Sequence, residues 1–353
     1  MKKYIVSLLL VLLSCQVTLF AYQSHVFFDG AFLGGMGAID RENVDGFGQF
    51  DAAYNLNMSS KITDRLSFFM QFQGSPGGSQ LSFPGPENVL TDIALIYKTL
   101  TTKYVLGSFD TPFGQYIGKL TNNADTSANA FILNPLVYAS FAGYAGTLNT
   151  VGVLSYRQWN GFDTTVSVSN GTNESSTNQH SKFECALNIN PSVGILNPFS
   201  VSFITSDDEG EVGSFGTQLT GWMLDAHVEV THRLSLFSYY TQLRYDDGQA
   251  NTDDDVTSAL LELSYRTVDY QVSLRMDTYD RADSGTINND IPSSFFSQAS
   301  FSSANDITSI QAYSLGLNMF LEDRVTLKSQ VFAETAESKQ YAVGVLSYIN
   351  VFF

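Results

Sequence analysis

The chain holds four histidines, His25, His180, His227 and His232. None stands in a His-Glu-x-x-His or similar zinc spacing. His227 lies in Asp225-Ala-His-Val-Glu229, where a period of two puts three polar side chains on one face of a strand. Such a face could hold a metal or serve a protease, but the reading adopted is a lumen wall wetted by water. No Gly-x-Ser-x-Gly elbow marks a nucleophile. Asp246-Asp247-Gly248 and Asp253-Asp254-Asp255 could hold Ca²⁺ through carboxylate oxygens, but their spacing misses the EF-hand pattern. The expectation is no enzyme, no cofactor and no bound metal.

The remaining charged residues fall on the polar side of alternating segments, which is where a water-filled lumen would need them. On such faces lie the carboxylates Glu262, Asp269 and Asp277 and the bases Arg157, Arg244, Arg266, Arg275 and Lys328. All of these except Arg157 are singled out as pore-lining candidates. Rings of carboxylate favour cations in a pore and rings of base favour anions. A formal net charge of −17 argues against a nucleic-acid partner, which needs a basic face. Aromatics make up 13% of the chain, so acidity here does not mean disorder.

The elements that carry these residues are strands. The closing segment Tyr341, Val343, Val345, Ser347, Ile349, Val351, Phe353 is apolar at every second place but one, a period of two. Its edge is an aggregation hazard unless it is paired, and pairing with the first strand would close the sheet. The same alternation recurs from 24–34 onward. Phe50, Ala52, Tyr54, Leu56 and Met58 oppose Gln49, Asp51, Asn55 and Asn57, and Ala259, Leu261, Leu263 and Tyr265 oppose Glu262, Ser264 and Arg266. Asn160-Gly161 suits a tight hairpin. The segments 181–189 and 199–205 are weaker strands. About sixteen strands, with short turns alternating with longer loops, make an all-β transmembrane antiparallel β-barrel over 22–353.

The N-terminus carries Lys2 and Lys3 before an apolar run that fades near Ala21, the pattern of a secretory signal over 1–21. Leu12-Leu13-Ser14-Cys15 resembles a lipobox and is the alternative end of the leader. With Cys15 in the leader, Cys185 is alone, so there is no disulfide framework.

Tyr104-Val-Leu-Gly-Ser-Phe-Asp-Thr-Pro-Phe-Gly114 resembles the strand-to-loop junction of Gram-negative outer-membrane porins. It is most similar to the phosphate-selective porin O and P superfamily. Gly146–Arg157 is similar to the return strand, and the terminal Phe353 to the signal read by the barrel-assembly machinery. The resemblance implies a water-filled channel for small hydrophilic solutes or ions, often a homotrimer, set in outer-membrane lipid and lipopolysaccharide. It also implies that the third external loop folds inward to narrow the lumen. On that loop Asp110, Lys119 and Asp125 are the constriction candidates. Lys119 is the one cation between 110 and 149, so phosphate selectivity is not carried over. The rival reading is a surface-interaction protein, an adhesin or phage receptor acting through its loops.

Overall fold

The computed structural model describes residues 26–41, 44–74, 89–114, 131, 136, 149–170, 183–192, 198–208, 217–246, 254–281, 309–336 and 341–353. The expected leader, Lys119 and Asp125, and most of the Asp-rich and Ser-rich loops lie outside these residues.

Sixteen strands follow one another. They are β1 (Val26–Arg41), β2 (Val44–Lys61), β3 (Leu66–Gly74), β4 (Val89–Lys98), β5 (Thr102–Asp110), β6 (Asn149–Gln158), β7 (Phe162–Ser169) and β8 (Glu184–Pro191). The second half holds β9 (Phe199–Asp208), β10 (Thr217–Glu229), β11 (Leu234–Asp246), β12 (Asp254–Arg266), β13 (Tyr270–Arg281), β14 (Ser309–Glu322), β15 (Val325–Ala336) and β16 (Tyr341–Phe352). Each pairs antiparallel with its neighbours in sequence, and β16 returns to β1 to close the barrel. The seam is long, running from Ala31 opposite Phe352 to Arg41 opposite Ala342. It ends in a reciprocal pair, Gly30 N–H to Phe353 O at 3.1 Å and Phe353 N–H to Gly30 O at 3.0 Å. In hydrocarbon each unpaired backbone group would cost several kcal/mol, so only a closed sheet is viable there. The first strand extends beyond the expected 24–34, because 35–41 continue the ladder on both β2 and β16.

The two faces separate as the alternation requires. On β12, Leu261, Leu263 and Tyr265 are exposed outward while Ser258, Glu262 and Ser264 are buried inward. On β13, Leu274 and Met276 face out while Ser273, Arg275 and Asp277 face in. The outer face also carries aromatic rings near the short-turn end, in cross-strand pairs Tyr97–Tyr104, Trp159–Phe162 and Tyr265–Tyr270. Trp222 and Tyr240 pair nearer the other end. Aromatic rings beside an apolar band are part of the pattern of a membrane barrel.

The connections at one end of the barrel, 62–65, 99–101, 159–161, 192–198, 230–233, 267–269 and 323–324, are all short. Four of them use the same device. The hydroxyl oxygens of Thr63, Thr99, Thr231 and Thr267 accept the backbone N–H three residues on, at 3.0–3.1 Å, which gives the turn a local partner for an otherwise loose donor. In the first of these turns Lys61 reaches Asp64 at 2.9 Å. That hydrogen bond and charge hold the Asp64 carboxyl below its ordinary range. The small stabilisation is present above about pH 4 and fades as pH falls through the depressed value, and full exposure screens it heavily. Among the other connections 111–148, the third, is the longest.

Leu261 is 51% exposed at the middle of its strand, and Val268 is 90% exposed in a turn. Leu261→Arg is therefore expected to destabilise the lipid-embedded barrel by about 2–4 kcal/mol, and Val268→Arg by about 0–1 kcal/mol. Urea unfolding in liposomes measures both.

Candidate pore wall

The inner wall is built from one parity of every strand, and its best-defined part spans β8 to β13. There Asn188 Nδ2 donates to Ser200 Oγ at 3.2 Å and Ser202 Oγ at 2.8 Å. The Ser200 hydroxyl donates to the Asp225 carboxylate. On the adjoining strands the Arg275 guanidinium donates twice to one oxygen of Glu262, at 3.1 and 3.0 Å. Tyr239 Oη donates to Asp277 at 3.0 Å. All these groups are buried, and charges so placed must be paired or hydrogen-bonded to be tolerated.

Four described points of the connection after β5 meet this wall. Thr111 Oγ1 donates to Glu184 at 3.0 Å on β8, and Gly114 N–H donates to Ser202 Oγ at 2.8 Å on β9. The Arg275 guanidinium lies 4.0 Å from the centre of the Phe131 ring, and Leu136 N–H donates to Asp277 Oδ2 at 2.5 Å. Phe113, Phe131 and Leu136 are themselves buried. The Gly107-to-Gly114 motif has a backbone reason. Gly107 takes φ 125° and Gly114 φ 86°, the left-handed side that glycine enters without steric cost. A Cβ on Gly107 would stand 2.1 Å from the Ile93 carbonyl oxygen across the ladder.

The expected site residues distribute as follows. Glu262, Arg275, Asp277 and Lys328 lie on the inner wall and are buried. Arg266 stands at the inner edge of the short-turn end, its guanidinium 4.9 Å from the Phe320 ring centre. Asp110 is the last residue of β5 and is exposed. Lys119 and Asp125 lie outside the described residues.

Two residues depart from expectation. Arg244 faces outward, because Met223 opposite Thr241 and Leu243 opposite Val256 set the other parity of β11 inward. It shares an outer-face groove of about 610 Å³ with Thr220, Trp222, Cys185 and Asp255. Asp269 belongs to the exposed turn 267–269, on no wall. Arg157, also expected on the polar side, faces out and lies 4.0 Å from the Trp159 ring centre. Asp225, His227 and Glu229 do share one parity, but Asp225 is buried and Glu229 exposed at the strand end. No group of His, Cys, Asp and Glu among the described residues could hold a metal ion.

Sequence reasoning missed an apolar part of the inner wall, made of Leu219 and Met223 on β10, Phe237, Tyr239 and Leu243 on β11, Leu260 on β12 and Tyr279 on β13. The signal was present: on β11 both parities are apolar, with Leu236 and Tyr240 against Phe237 and Tyr239. A strand apolar on both faces has both faces covered. Leu136, held by Asp277 beside Tyr239, is part of what covers it.

No family model and no curated protein matches the sequence. Solved structures do match in fold. An anion-selective porin from Comamonas acidovorans aligns at 15% identity and a TM-score of 0.65, over 94% of this chain and all of that one. The outer-membrane channel DcaP of Acinetobacter baumannii aligns at 11% identity and 0.61, over 94% and 97%. OmpT of Vibrio cholerae in its trimer form aligns at 9% identity and 0.61, over 94% and 99%.

The Glu262–Arg275 pair generates a prediction about stability. Arg275→Met leaves a buried carboxylate without its cation and is expected to cost about 3–5 kcal/mol, most of it regained in Glu262→Met/Arg275→Met. Urea titration of the folded barrel followed by tryptophan fluorescence checks the pair. The chain's structural neighbours are Gram-negative outer-membrane porins, and its own fold is a closed sixteen-stranded antiparallel barrel of their kind.

Proposed function

We propose that the chain is a passive, water-filled channel for small hydrophilic solutes or ions in the outer membrane of a Gram-negative cell. The observation that carries this reading is the division of one closed sheet into an apolar outside bearing aromatic rings and an inside rich in hydrogen-bonding groups. A soluble sandwich would turn its apolar faces toward each other, whereas here they point away from the axis. Export by a leader over 1–21 and assembly of the barrel through Phe353 complete the reading. The trimeric state recorded for the OmpT neighbour makes a homotrimer the proposed assembly, embedded in lipid and lipopolysaccharide.

Within the channel, the connection 111–148 folds inward and narrows the lumen. The anchors at Thr111, Gly114, Phe131 and Leu136 support this. Asp110, Lys119 and Asp125 would then face the β8–β13 wall, on which Arg275 is a buried cation. One lysine in that stretch is too little base for phosphate recognition, which relies on several charge-assisted donors.

Purified protein in planar bilayers is expected to give discrete conductance steps, and their absence at any voltage would sink the channel reading. Asp277→Ala removes the acceptor of the Leu136 N–H and of Tyr239. It is expected to raise single-channel conductance or its noise, while heat-modifiable gel mobility reports that the barrel still forms.

A further inference from the structure

The outer-face groove on β7 to β12 is unlike the apolar wall around it, and its side chains are sorted along the strand direction. The strand registers set Asp255, Arg244, Thr220, Thr205 and Cys185 side by side in one row across β12, β11, β10, β9 and β8. One step further from the long connections, the next row reads Gln242, Trp222, Phe203, Leu187 and Val166. The row after that is Tyr240, Leu224, Val201 and Ile189. A polar row thus caps two rows that are almost wholly apolar. These side chains point outward, because the opposite parity, with Ala186, Ile204, Met223, Leu243 and Val256, is buried.

Between the long side chain of Arg244 and the rings of Trp222 and Phe203 the polar row holds only Thr220, Thr205 and Cys185. These small residues leave the hollow of about 610 Å³. An arginine on a lipid face is costly at the bilayer midplane and tolerated near an interface. Arg244 stands two residues before Asp246, the end of β11, which puts it at the edge of the apolar band. Its planar fork of five N–H donors matches phosphate oxygens in pairs, and one carboxylate, Asp255, can accept only some of them. By register Arg244 stands between Asp255 and the two threonines, so the side of the row suited to an anion is the one toward Thr220. There Thr220 and Thr205 add hydroxyl donors, and Gln242 adds an amide.

We propose that this groove binds a phosphate-bearing, acylated lipid of the outer membrane. Arg244, Thr220 and Thr205 hold its phosphate, and its chains lie over Phe203, Leu187 and Val166. Both kinds of row are needed to choose this occupant: a neutral lipid would use only the apolar rows, and a free anion only the polar one. The proposal rests on the barrel's place in the membrane and not on its conductance, so the two readings fail separately.

The chain has two tryptophans, Trp159 and Trp222, and Trp222 lines the groove. Trp159→Phe, refolded as the full barrel into phosphatidylcholine vesicles, therefore leaves a reporter in the site, which bromine on a bound acyl chain quenches. At equal mole fraction, dibrominated phosphatidic acid is expected to quench Trp222 with about tenfold the apparent affinity of dibrominated phosphatidylcholine. Arg244→Gln in the same background is expected to lower this ratio about fivefold, and Thr205→Val/Thr220→Val about threefold. Heat-modifiable gel mobility shows that each barrel has formed. In Trp222→Phe, Trp159 reports the other rim, where Arg157 also faces out, and there the ratio is expected to be about threefold lower than at Trp222.

Equal ratios at the two tryptophans would mean that any outward arginine attracts anionic lipid, and would overturn the groove as a site. An unchanged ratio in Arg244→Gln overturns the role of the guanidinium. Loss of the preference on adding inorganic phosphate at matched ionic strength assigns the row to free anions and overturns the lipid. Failure of both brominated lipids to quench Trp222 means that another copy of the chain covers this face, which overturns the proposal as well.

Discussion

The seam between β1 and β16 is the constraint on which the rest of the structure depends. A sheet in hydrocarbon cannot leave a row of N–H and C=O groups bare, so the first and last strands must find each other across the whole chain. Eleven residue pairs, from Ala31 with Phe352 to Arg41 with Ala342, meet that demand. Once the cylinder is shut, each strand has one parity outside and one inside, and a slip of one residue anywhere would turn charge into lipid and leucine into water. The regularity of the alternation from β12 to β16 follows from that penalty.

Closure also explains why the inner wall can be chemically heterogeneous. The outer face answers to one solvent and is apolar along most of its strands, with Arg157 and Arg244 as exceptions. The inner face answers to water in some places and to protein in others, so it holds the Asn188–Ser200–Asp225 chain, the Glu262–Arg275 pair and an apolar patch within a few strands of each other. The points where the third long connection touches this wall lie on its ionic and apolar parts together. There the polar contacts fix position, since each leaves a buried group stranded if it is lost. The apolar contacts remove surface from water. The two kinds of contact together make Asp277 and Arg275 wall residues with a structural job as well as a charge.

Much of the fold was legible in the residues. The period of two fixed the element type, turn chemistry such as Asn160-Gly161 placed the hairpins, and the count of about sixteen strands agrees with the sixteen observed. The Gly107–Gly114 motif was legible as a junction, and its two left-handed glycines show why those positions carry no side chain. The site was less legible. Glu262, Arg275, Asp277 and Lys328 were placed inward by their own strands' clean alternation, and they are inward.

Arg244 and Asp269 mark where local pattern runs out. On β11 both parities are apolar, so nothing within the strand says which side meets the lumen. Only the ladders to β10 and β12 decide it, and they turn Arg244 outward. Asp269 follows the alternation of β13 by one step too many, and the Thr267 turn claims it instead. The sequence by itself determined the strands, and their faces wherever polar and apolar residues separate cleanly. The tertiary structure decided the register of ambiguous strands, the burial of the apolar inner patch and the pairing of the wall's charges. The physical reason is that alternation is a property of one strand, whereas inside and outside are properties of the closed cylinder.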